Sequence, residues 1–288
     1  MASADEELSS TEDEFEYTRP IIKWVGGKSQ ILENVLNKFP KNINVYHEIF
    51  LGGGSVLIGL LTYANKNLIK INKVIAYDLN ETLINLYKNL QKNHIELINK
   101  LDEIIKDYNE SNKDDEEIKA NRKPKNLTEA KTSKESYYYW IRNNYNKMTQ
   151  QEKNNYIGSA MFIFLNKTCF RGLYRTGPNR FNVPYGHYNN PSIYDDDNIK
   201  EISELIKNVE FVVSDFSNSI IRAKKKDFLY LDPPYLPEKE TSFVSYNLEG
   251  FNIDKHNQLF NLCHQLKENK IIFLYFPSQQ WANQSYKY

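Results

Sequence analysis

Four residues in the last quarter of the chain, Asp232-Pro233-Pro234-Tyr235, combine a carboxylate, backbone carbonyls without strand partners and an aromatic ring. They follow Phe228-Leu229-Tyr230-Leu231, an apolar run that predicts a short buried strand. Proline cannot donate to a sheet ladder, so the strand is expected to end at Asp232. Ligands of open α/β sheets bind just outside the carboxyl ends of the strands. The sequence therefore predicts a site at this position.

These groups could hold an amino group attached to a nucleobase. Such a nitrogen is a poor nucleophile, because its lone pair is delocalised into the ring. Asp232 and the Pro233 carbonyl could each accept one of its N–H groups, and Tyr235 could stack on a base flipped out of a duplex. The alternative is a Pro-Pro turn that closes a strand with a solvated aspartate. The four residues alone do not decide between these interpretations.

The elements that would position this site alternate between strands and helices. Apolar runs predict five strands, at residues 45–50, 73–78, 209–214, 228–231 and 270–276. Helical spacing predicts helices at residues 30–39, 56–63, 81–108, 198–207 and 254–268, the last capped by Asp254. Residues 111–125 are charged and predict an exposed loop or a disordered insert, and a further loop is predicted at residues 242–250. This alternation predicts a doubly wound, mostly parallel α/β sheet.

A glycine turn and an acid follow the first two predicted strands. Gly52-Gly53-Gly54 comes after the first strand, and Asp78 ends the second, 26 residues after Gly52. At this spacing an acid meets a ribose hydroxyl in nucleotide-binding sheets. The pattern does not distinguish a nicotinamide cofactor from S-adenosylmethionine. Upstream, Trp24 and Lys28 bracket a glycine pair, but Ile22 stands where a phosphate-binding loop has its first glycine.

Charge is distributed unevenly, although the formal net charge is zero. Residues 1–16 hold seven acids and no base, which predicts a disordered acidic tail over residues 1–18. Residues 131–190 hold nine Lys or Arg, two acids and many aromatic residues, a pattern typical of phosphate binding. Three arginines on a predicted turn or hairpin could read base edges: Arg171, Arg175 and Arg180. The alternative is a solvated charged face over an aromatic core.

Several classes of protein are disfavoured. No run of about 18 apolar residues occurs, so we expect no membrane span. The acidic start predicts no secretory signal, and hence a protein of the cytoplasm or of wherever its DNA lies. Cys169 and Cys263 are the only cysteines, which fits a reducing compartment. The five histidines show no metal-ligand spacing, so no metal is expected.

Five motifs together resemble the Dam family of DNA adenine N6-methyltransferases. They occur in order at residues 23–28, 50–55, 181–186, 215–216 and 232–235. The resemblance spans residues 19–276 and implies a Rossmann-like methyltransferase sheet. It places the S-adenosylmethionine-binding catalytic domain at residues 19–90 and 205–288. An inserted, mainly helical target-recognition domain would occupy residues 91–204.

The resemblance also implies roles for individual residues. Asp232, Pro233 and Tyr235 would grip the target adenine. S-adenosylmethionine, with S-adenosylhomocysteine as its product, would be held by Trp24, Lys28, Gly52, Gly54, Asp78, Asp215, Phe216 and Asp232. Double-stranded DNA would be contacted by Arg175 first, and by Arg171, Arg180, Asn182 and Pro184. A GATC-like site, a restriction-modification setting and a monomer or dimer without a metal are the corresponding expectations.

Two features depart from that family. Glu48-Ile49-Phe50 lacks the proline that usually follows the family's acid. Family members continue through further strands after the penultimate helix, whereas this sequence changes after Phe276 and stops at Tyr288. The expectation is a truncated catalytic domain with an exposed sheet edge. The alternatives are therefore a DNA-binding partner subunit with impaired catalysis, or a methyltransferase that acts on RNA adenine or on cytosine N4.

Overall fold

A computed structural model describes residues 17–112, 119–177, 180–235 and 251–276. Its strands, in chain order, are β1 (Asn42–Glu48), β2 (Lys70–Asp78), β3 (Thr176–Gly177), β4 (Arg180–Phe181), β5 (Val209–Val213), β6 (Phe228–Leu231) and β7 (Ile272–Tyr275). Five of them form a parallel sheet in the order β5-β2-β1-β6-β7, and β3 and β4 form an antiparallel hairpin. The five predicted strands and their parallel arrangement are confirmed.

Helices connect the strands and flank the sheet. They are α1 (Leu32–Leu36), α2 (Ser55–Asn65), α3 (Glu81–Lys92), α4 (His94–Glu110), α5 (Leu127–Ala130), α6 (Lys134–Lys147), α7 (Gln150–Lys153), α8 (Tyr156–Thr168), α9 (Asp196–Leu205), α10 (Phe216–Ile220) and α11 (Ile253–Glu268). Single 3-10 turns lie at Ser29–Ile31 and Phe170–Gly172.

Both faces of the sheet are covered, as its apolar strands require. On one face Tyr46, Val74 and Tyr230 are buried in a cluster that includes residues of α1, α2 and α3. On the other, Tyr77 and Leu229 are buried with residues of α10 and α11. All four residues of β6 are buried, so the strand that leads to Asp232 is held on both sides.

The aromatic residues between β2 and β5 pack against one another. Tyr108, Tyr137 and Phe164 lie fully buried, and the Phe164 ring stands edge-on to both tyrosine rings, with centroids 5.3 and 6.0 Å apart. This core is continuous with the apolar face of the sheet that α1–α3 cover. Most of the predicted aromatic segment therefore serves packing. The boundaries at residues 91 and 204 stay a prediction.

Two details of the predicted helices are wrong. The helical pattern over residues 81–108 forms two helices, because the backbone leaves the helical region at Asn93 (φ −133°). Asparagine favours such breaks, since its side chain competes for backbone hydrogen bonds. The last helix is capped by Asn252, which accepts a hydrogen bond from the Lys255 N–H, and Asp254 lies within its first turn.

Some expectations lie outside the described residues: residues 1–16 of the predicted tail 1–18, part of the loop 111–125, the loop 242–250 and the chain after Phe276. Tyr17 and Thr18, the last two residues of the predicted tail, are described and hydrogen-bond to Tyr63 and Glu201. Within the described ranges, no helix is long and apolar enough to cross a membrane. Cys169 and Cys263 are both free thiols.

Candidate active site

Asp232 stands at the carboxyl end of β6, between the ends of β1 and β7. The segments that follow β1 and β7 continue the hydrogen-bond ladder with β6: the Ile49 N–H donates to the Tyr230 carbonyl, and the Phe276 N–H donates to the Leu231 carbonyl. Lys28 reaches this point from the turn before α1, and its Nζ lies 2.5 Å from Asp232 Oδ2. The side chains of Lys28 and Asp232 are only 6% and 15% exposed. The aspartate is thus part of a largely buried ion pair, and the alternative of a solvated aspartate on a simple turn is wrong.

The three predicted catalytic residues lie together around this ion pair. Pro233 is buried, whereas the Tyr235 ring is 45% exposed, with Lys28 Nζ 5.4 Å from its centre. Burial raises the pKa of Asp232, and Lys28 opposes that shift. Asp232 is thus a largely buried carboxyl group with one lysine as its counter-ion, and that lysine lies close to an aromatic ring that is open to a ligand.

Glu48, at the end of β1, lies behind Asp232 and was not predicted as a site residue. Its side chain is buried and accepts a hydrogen bond of 2.9 Å from the Tyr46 hydroxyl. Burial raises the pKa of Glu48 to about 8, and the charge of Asp232 adds to that shift. A glutamate inside an apolar strand is the sequence signal that could have identified it. We infer that Glu48 is protonated at neutral pH, so that Asp232 is the one of these two neighbouring carboxyl groups that carries a negative charge.

Replacing Glu48 by glutamine should change how stability depends on pH. Between pH 4.5 and about 8, folded Glu48 holds a proton that the unfolded chain releases. The free energy of unfolding should therefore fall as pH rises through this window, by up to a few kcal/mol, and Glu48→Gln should remove that contribution. Urea unfolding of both proteins at a series of pH values measures the difference. An identical pH dependence would contradict the assignment.

The glycine turn after β1 is braced by Asp78. The Gly52 N–H donates to Asp78 Oδ2 at 2.9 Å, and the Asn80 N–H donates to Asp78 Oδ1 at 2.8 Å. Burial raises the pKa of Asp78, and these hydrogen bonds oppose the shift. Gly52 and Gly54 have φ of +50° and +68°, a conformation that favours glycine. The glycine turn and this acid, which the sequence analysis singled out by their spacing, therefore lie together at the ends of β1 and β2.

Packing against neighbouring side chains is one reason for the glycines in this turn. A Cβ on Gly53 would lie 2.6 Å from the Trp24 Cβ, and a Cβ on Gly54 would lie 2.3 Å from the Tyr87 hydroxyl oxygen. Tyr87 also donates a hydrogen bond of 2.7 Å to the Gly53 carbonyl. Close approach of Trp24 and Tyr87, and not only of a ligand, thus requires small residues in this turn.

Asp215 and Phe216 begin α10, just beyond the carboxyl end of β5. Asp215 caps the helix by accepting hydrogen bonds from the N–H and hydroxyl of Ser217, at 2.9 and 2.7 Å. The Ser214 N–H donates to the Asp78 carbonyl, which places Asp215 beside the end of β2. Phe216 is buried, with ring centroids 5.8 Å from Phe50 and 5.4 Å from Phe251.

Asn166, another residue that was not assigned a role, joins this edge to the arginine-containing hairpin. Its buried amide accepts from the Lys23 N–H at 2.8 Å and donates to the carbonyls of Lys23 and Gly172, at 2.9 and 3.1 Å. The rings of Trp24 and Tyr174 lie 5.4 Å apart. The turn that carries Lys28 and the hairpin are therefore one connected structure.

The hairpin brings together most of the residues predicted to contact DNA. Arg175 Nε donates to Asn182 Oδ1 at 2.6 Å across the hairpin, and Arg180 is exposed on β4. Arg171 lies just before it in a left-handed conformation (φ 56°), with its guanidinium 5.1 Å from the centre of the Phe170 ring. The Pro184 carbonyl accepts from the Phe170 N–H. The predicted turn or hairpin is confirmed.

Among the described side chains, no group of three or more His, Cys, Asp or Glu is arranged to hold a metal ion.

Comparison with known proteins decides which family uses this arrangement. Residues 24–285 match the family model described as D12 class N6 adenine-specific DNA methyltransferase. The chain belongs to this family. The matched range includes every motif of the Dam-like resemblance, with the exception of Lys23 at its start.

The relatives of this D12 class methyltransferase have names that agree. It is 38% identical over 255 residues to the type II methyltransferase M.MjaIII of Methanocaldococcus jannaschii, a match that covers 86% of this chain and 80% of the relative. It is 32% identical over 279 residues to the type II methyltransferase M1.LlaDCHI of Lactococcus lactis subsp. cremoris, covering 93% and 84%. A DNA adenine methylase of Haemophilus influenzae is 28% identical over 256 residues, covering 88% and 77%.

The family description specifies the reaction of this D12 class methyltransferase. It names adenine, the N6 position and DNA. RNA and cytosine N4 are therefore disfavoured as the methylated targets.

Proposed function

We propose that this D12 class methyltransferase transfers the methyl group of S-adenosylmethionine to N6 of an adenine flipped out of double-stranded DNA. The observation that supports this most directly is the ion pair of Asp232 and Lys28 beneath the exposed ring of Tyr235. Asp232 offers a charged acceptor, Pro233 a rigid carbonyl and Tyr235 a stacking face, all within four consecutive residues. Such a set suits an amino group on a planar base.

The carboxyl edge of the sheet fits the proposed cofactor. Asp78, Asp215 and Asp232 lie at the ends of β2, β5 and β6, where carboxylates would favour a positively charged sulfonium and accept hydrogen bonds from hydroxyl groups. The Asp78 carboxylate already accepts the N–H groups of Gly52 and Asn80, and a carboxylate offers about four acceptor positions in all. Nothing lies within 4 Å of the place where a Cβ would stand on Gly26, so the turn between Trp24 and Lys28 leaves room for a ligand. We assign the cofactor site to Trp24, Lys28, Gly52, Gly54, Asp78, Asp215, Phe216 and Asp232.

When bound, S-adenosylmethionine supplies a methyl group that its positive sulfur has already activated, so the residues need only position the acceptor. Among the described residues, only Lys28 bonds to the Asp232 carboxylate, and it does so at Oδ2. Oδ1 therefore accepts one N–H of the adenine amino group, and the Pro233 carbonyl accepts the other. Because burial raises the pKa of Asp232, Oδ1 is also placed to take the proton that the amino group loses.

The proposed function is tested by methyl transfer from labelled donor to duplex DNA, single-stranded DNA and RNA. We expect transfer to duplex DNA, with N6-methyladenine at one short sequence when the modified bases are sequenced. No transfer to any of the three would contradict the proposal and favour a partner subunit with impaired catalysis.

Tyr235 should act through its ring. Loss of a stacking face typically costs about 1–3 kcal/mol per base, so Tyr235→Ala should lower kcat/KM by roughly tenfold to a hundredfold. Tyr235→Phe keeps the ring and should retain most of the activity. Kinetics on one duplex substrate compare the two, and equal losses would assign the effect to the hydroxyl instead.

We further propose that Arg175 reads a base pair of the target. Its Nε is held by Asn182, which orients the remaining N–H groups of the guanidinium. A base-reading arginine supplies about 1–3 kcal/mol of discrimination at one position. Arg175→Ala should therefore relax the methylated sequence at one base pair, measured across a library of single-base site variants at fixed salt.

Lys147 provides the matched control. It is exposed at the end of α6, away from the hairpin in sequence. A phosphate contact carries no sequence information, so Lys147→Ala should weaken all duplexes alike and lower the salt dependence of binding by about one counterion. An unchanged site preference in Arg175→Ala would remove this residue from the base-reading set.

A further inference from the structure

The edge of the sheet opposite the active site is strongly basic. The chain enters the five parallel strands there, through residues 37–42, 66–70, 206–209, 221–227 and 267–272. These segments, which we call the amino edge, contain eleven Lys or Arg and only two acids. One of those acids, Asp227, is buried and accepts hydrogen bonds from Asn44 and the Lys224 N–H. The exposed charge of the amino edge is therefore almost entirely positive.

Helix dipoles do not account for this number of cations. Five helices end at the amino edge, namely α1, α2, α9, α10 and α11. A cation near the last turn of a helix is stabilising, which explains about one basic residue for each. The consecutive lysines Lys224, Lys225 and Lys226 are all exposed and lie within the longest of these connections, which joins α10 to β6.

Most of these cations have no anionic partner in the described part of the chain. Lys207 pairs with Glu204 at 3.1 Å. By contrast, Lys41, Lys70 and Lys224–226 form no ion pair with any described residue. Lys41 and Lys70 are neighbours, since the Lys70 N–H donates to the Lys41 carbonyl. The amino edge is thus a surface suited to a polyanion.

The acidic segment, residues 1–16, joins the folded chain beside this surface. Tyr17 stacks on Tyr63 near the end of α2, with ring centroids 5.7 Å apart and a hydroxyl–hydroxyl hydrogen bond of 3.0 Å. The Leu68 N–H donates to the Tyr63 carbonyl, so this contact adjoins the connection that carries Lys70. From Tyr17 the chain runs the length of the domain to Trp24 and Lys28 at the active site. The acidic segment is therefore attached to the folded chain at the amino edge, on the side of the sheet opposite the hairpin.

We propose that residues 1–16 bind along the amino edge of the sheet. Their seven carboxylates and absence of bases complement the unpaired lysines in sign. Five strands span about 19 Å at their usual spacing, and sixteen residues extend to about 55 Å, so the segment reaches across the edge. Covalent attachment raises its effective concentration at this surface far above that of a free polyanion.

The functional consequence concerns DNA. An uncovered basic surface attracts phosphate backbones without regard to sequence. DNA held at the amino edge lies on the opposite side of the sheet from Asp232 and cannot be methylated there. The bound segment would keep DNA off this surface and leave the hairpin side as the main binding face.

The proposal is tested on the full chain, in which Asp5, Glu6, Glu7, Glu12, Asp13, Glu14 and Glu16 are replaced by Asn or Gln. Lysine acetylation followed by mass spectrometry measures the reactivity of each amine in this variant and in the unchanged protein. We expect the reactivity of Lys41, Lys70 and Lys224–226 to rise several-fold in the variant, whereas the exposed Lys123 and Lys125 serve as unchanged controls. Equal reactivity at the amino edge, or a rise confined to Lys123 and Lys125, would overturn the proposal.

Binding to a random duplex without adenine provides a second measurement. The neutralised variant should bind it several-fold more tightly at low salt, and with a steeper salt dependence than the unchanged protein. Adding Lys224→Gln, Lys225→Gln and Lys226→Gln should reverse that gain, whereas Lys123→Gln with Lys125→Gln should not. Reversal by the second pair alone would show that the segment covers the recognition insert instead. Neither measurement depends on methyl transfer, so the result is independent of the proposed catalytic roles.

Discussion

Replacing Asp232 by alanine should abolish methyl transfer while affinity for duplex DNA stays nearly unchanged. The substitution removes the oxygen that we propose accepts the adenine amino group, and it leaves the Lys28 ammonium bonded only to the Gly26 carbonyl among the described residues. Phosphate contacts typically supply a large share of the affinity for DNA, and a carboxylate does not make them. Single-turnover methylation and equilibrium binding to the same duplex measure the two effects separately.

Two further variants make this result interpretable. Asp232→Asn keeps the shape and one acceptor oxygen but loses the charge, so its activity should also be very low if the charge is needed. Asp254→Ala removes an exposed carboxylate from the first turn of α11 and should leave activity unchanged. Urea unfolding of each variant confirms that the fold persists. Substantial activity in Asp232→Ala would exclude the proposed mechanism.

Local patterns in the sequence predicted the sheet well, because its strands are continuous apolar runs with clear ends. Residues 228–231 are all apolar and end at a Pro-Pro pair, and Asp78 closes another apolar run. Burial on both faces produces such runs in parallel sheets. The break at Asn93 was not predicted, because apolar spacing continues through it and only the backbone turns.

The site was predicted in part, and the missed portion depends on contacts distant in sequence. Asp232 and Lys28 were each named from their motifs, but 204 residues separate the two atoms that form the ion pair. Asn166 holds Lys23 across 143 residues through a backbone contact that no spacing rule describes. The glycine turn shows the same limit, since the ring that crowds Gly54 belongs to Tyr87. Residue types indicated the chemistry, whereas packing between distant segments determines the geometry.

Replacing Lys28 by methionine should lower activity at neutral pH and restore part of it at higher pH. Methionine fills a similar volume but leaves the Asp232 carboxylate without a counter-ion at 15% exposure. Removing one partner of a buried ion pair leaves an uncompensated charge, which favours protonation of the remaining carboxyl, so a large loss of activity is expected at pH 7.

The pH profile distinguishes this role of Lys28 from simple loss of a ligand contact. Lys28 opposes the effect of burial and so lowers the pKa of Asp232; without it that pKa rises further, and the carboxyl holds its proton up to a higher pH. The acid limb of kcat/KM should therefore move to higher pH in Lys28→Met, and Lys28→Arg, which keeps the charge, should leave that limb near its original position. A loss of the same factor at every pH would show that Lys28 contributes through binding alone, because only a change in the ionisation of Asp232 makes the loss depend on pH.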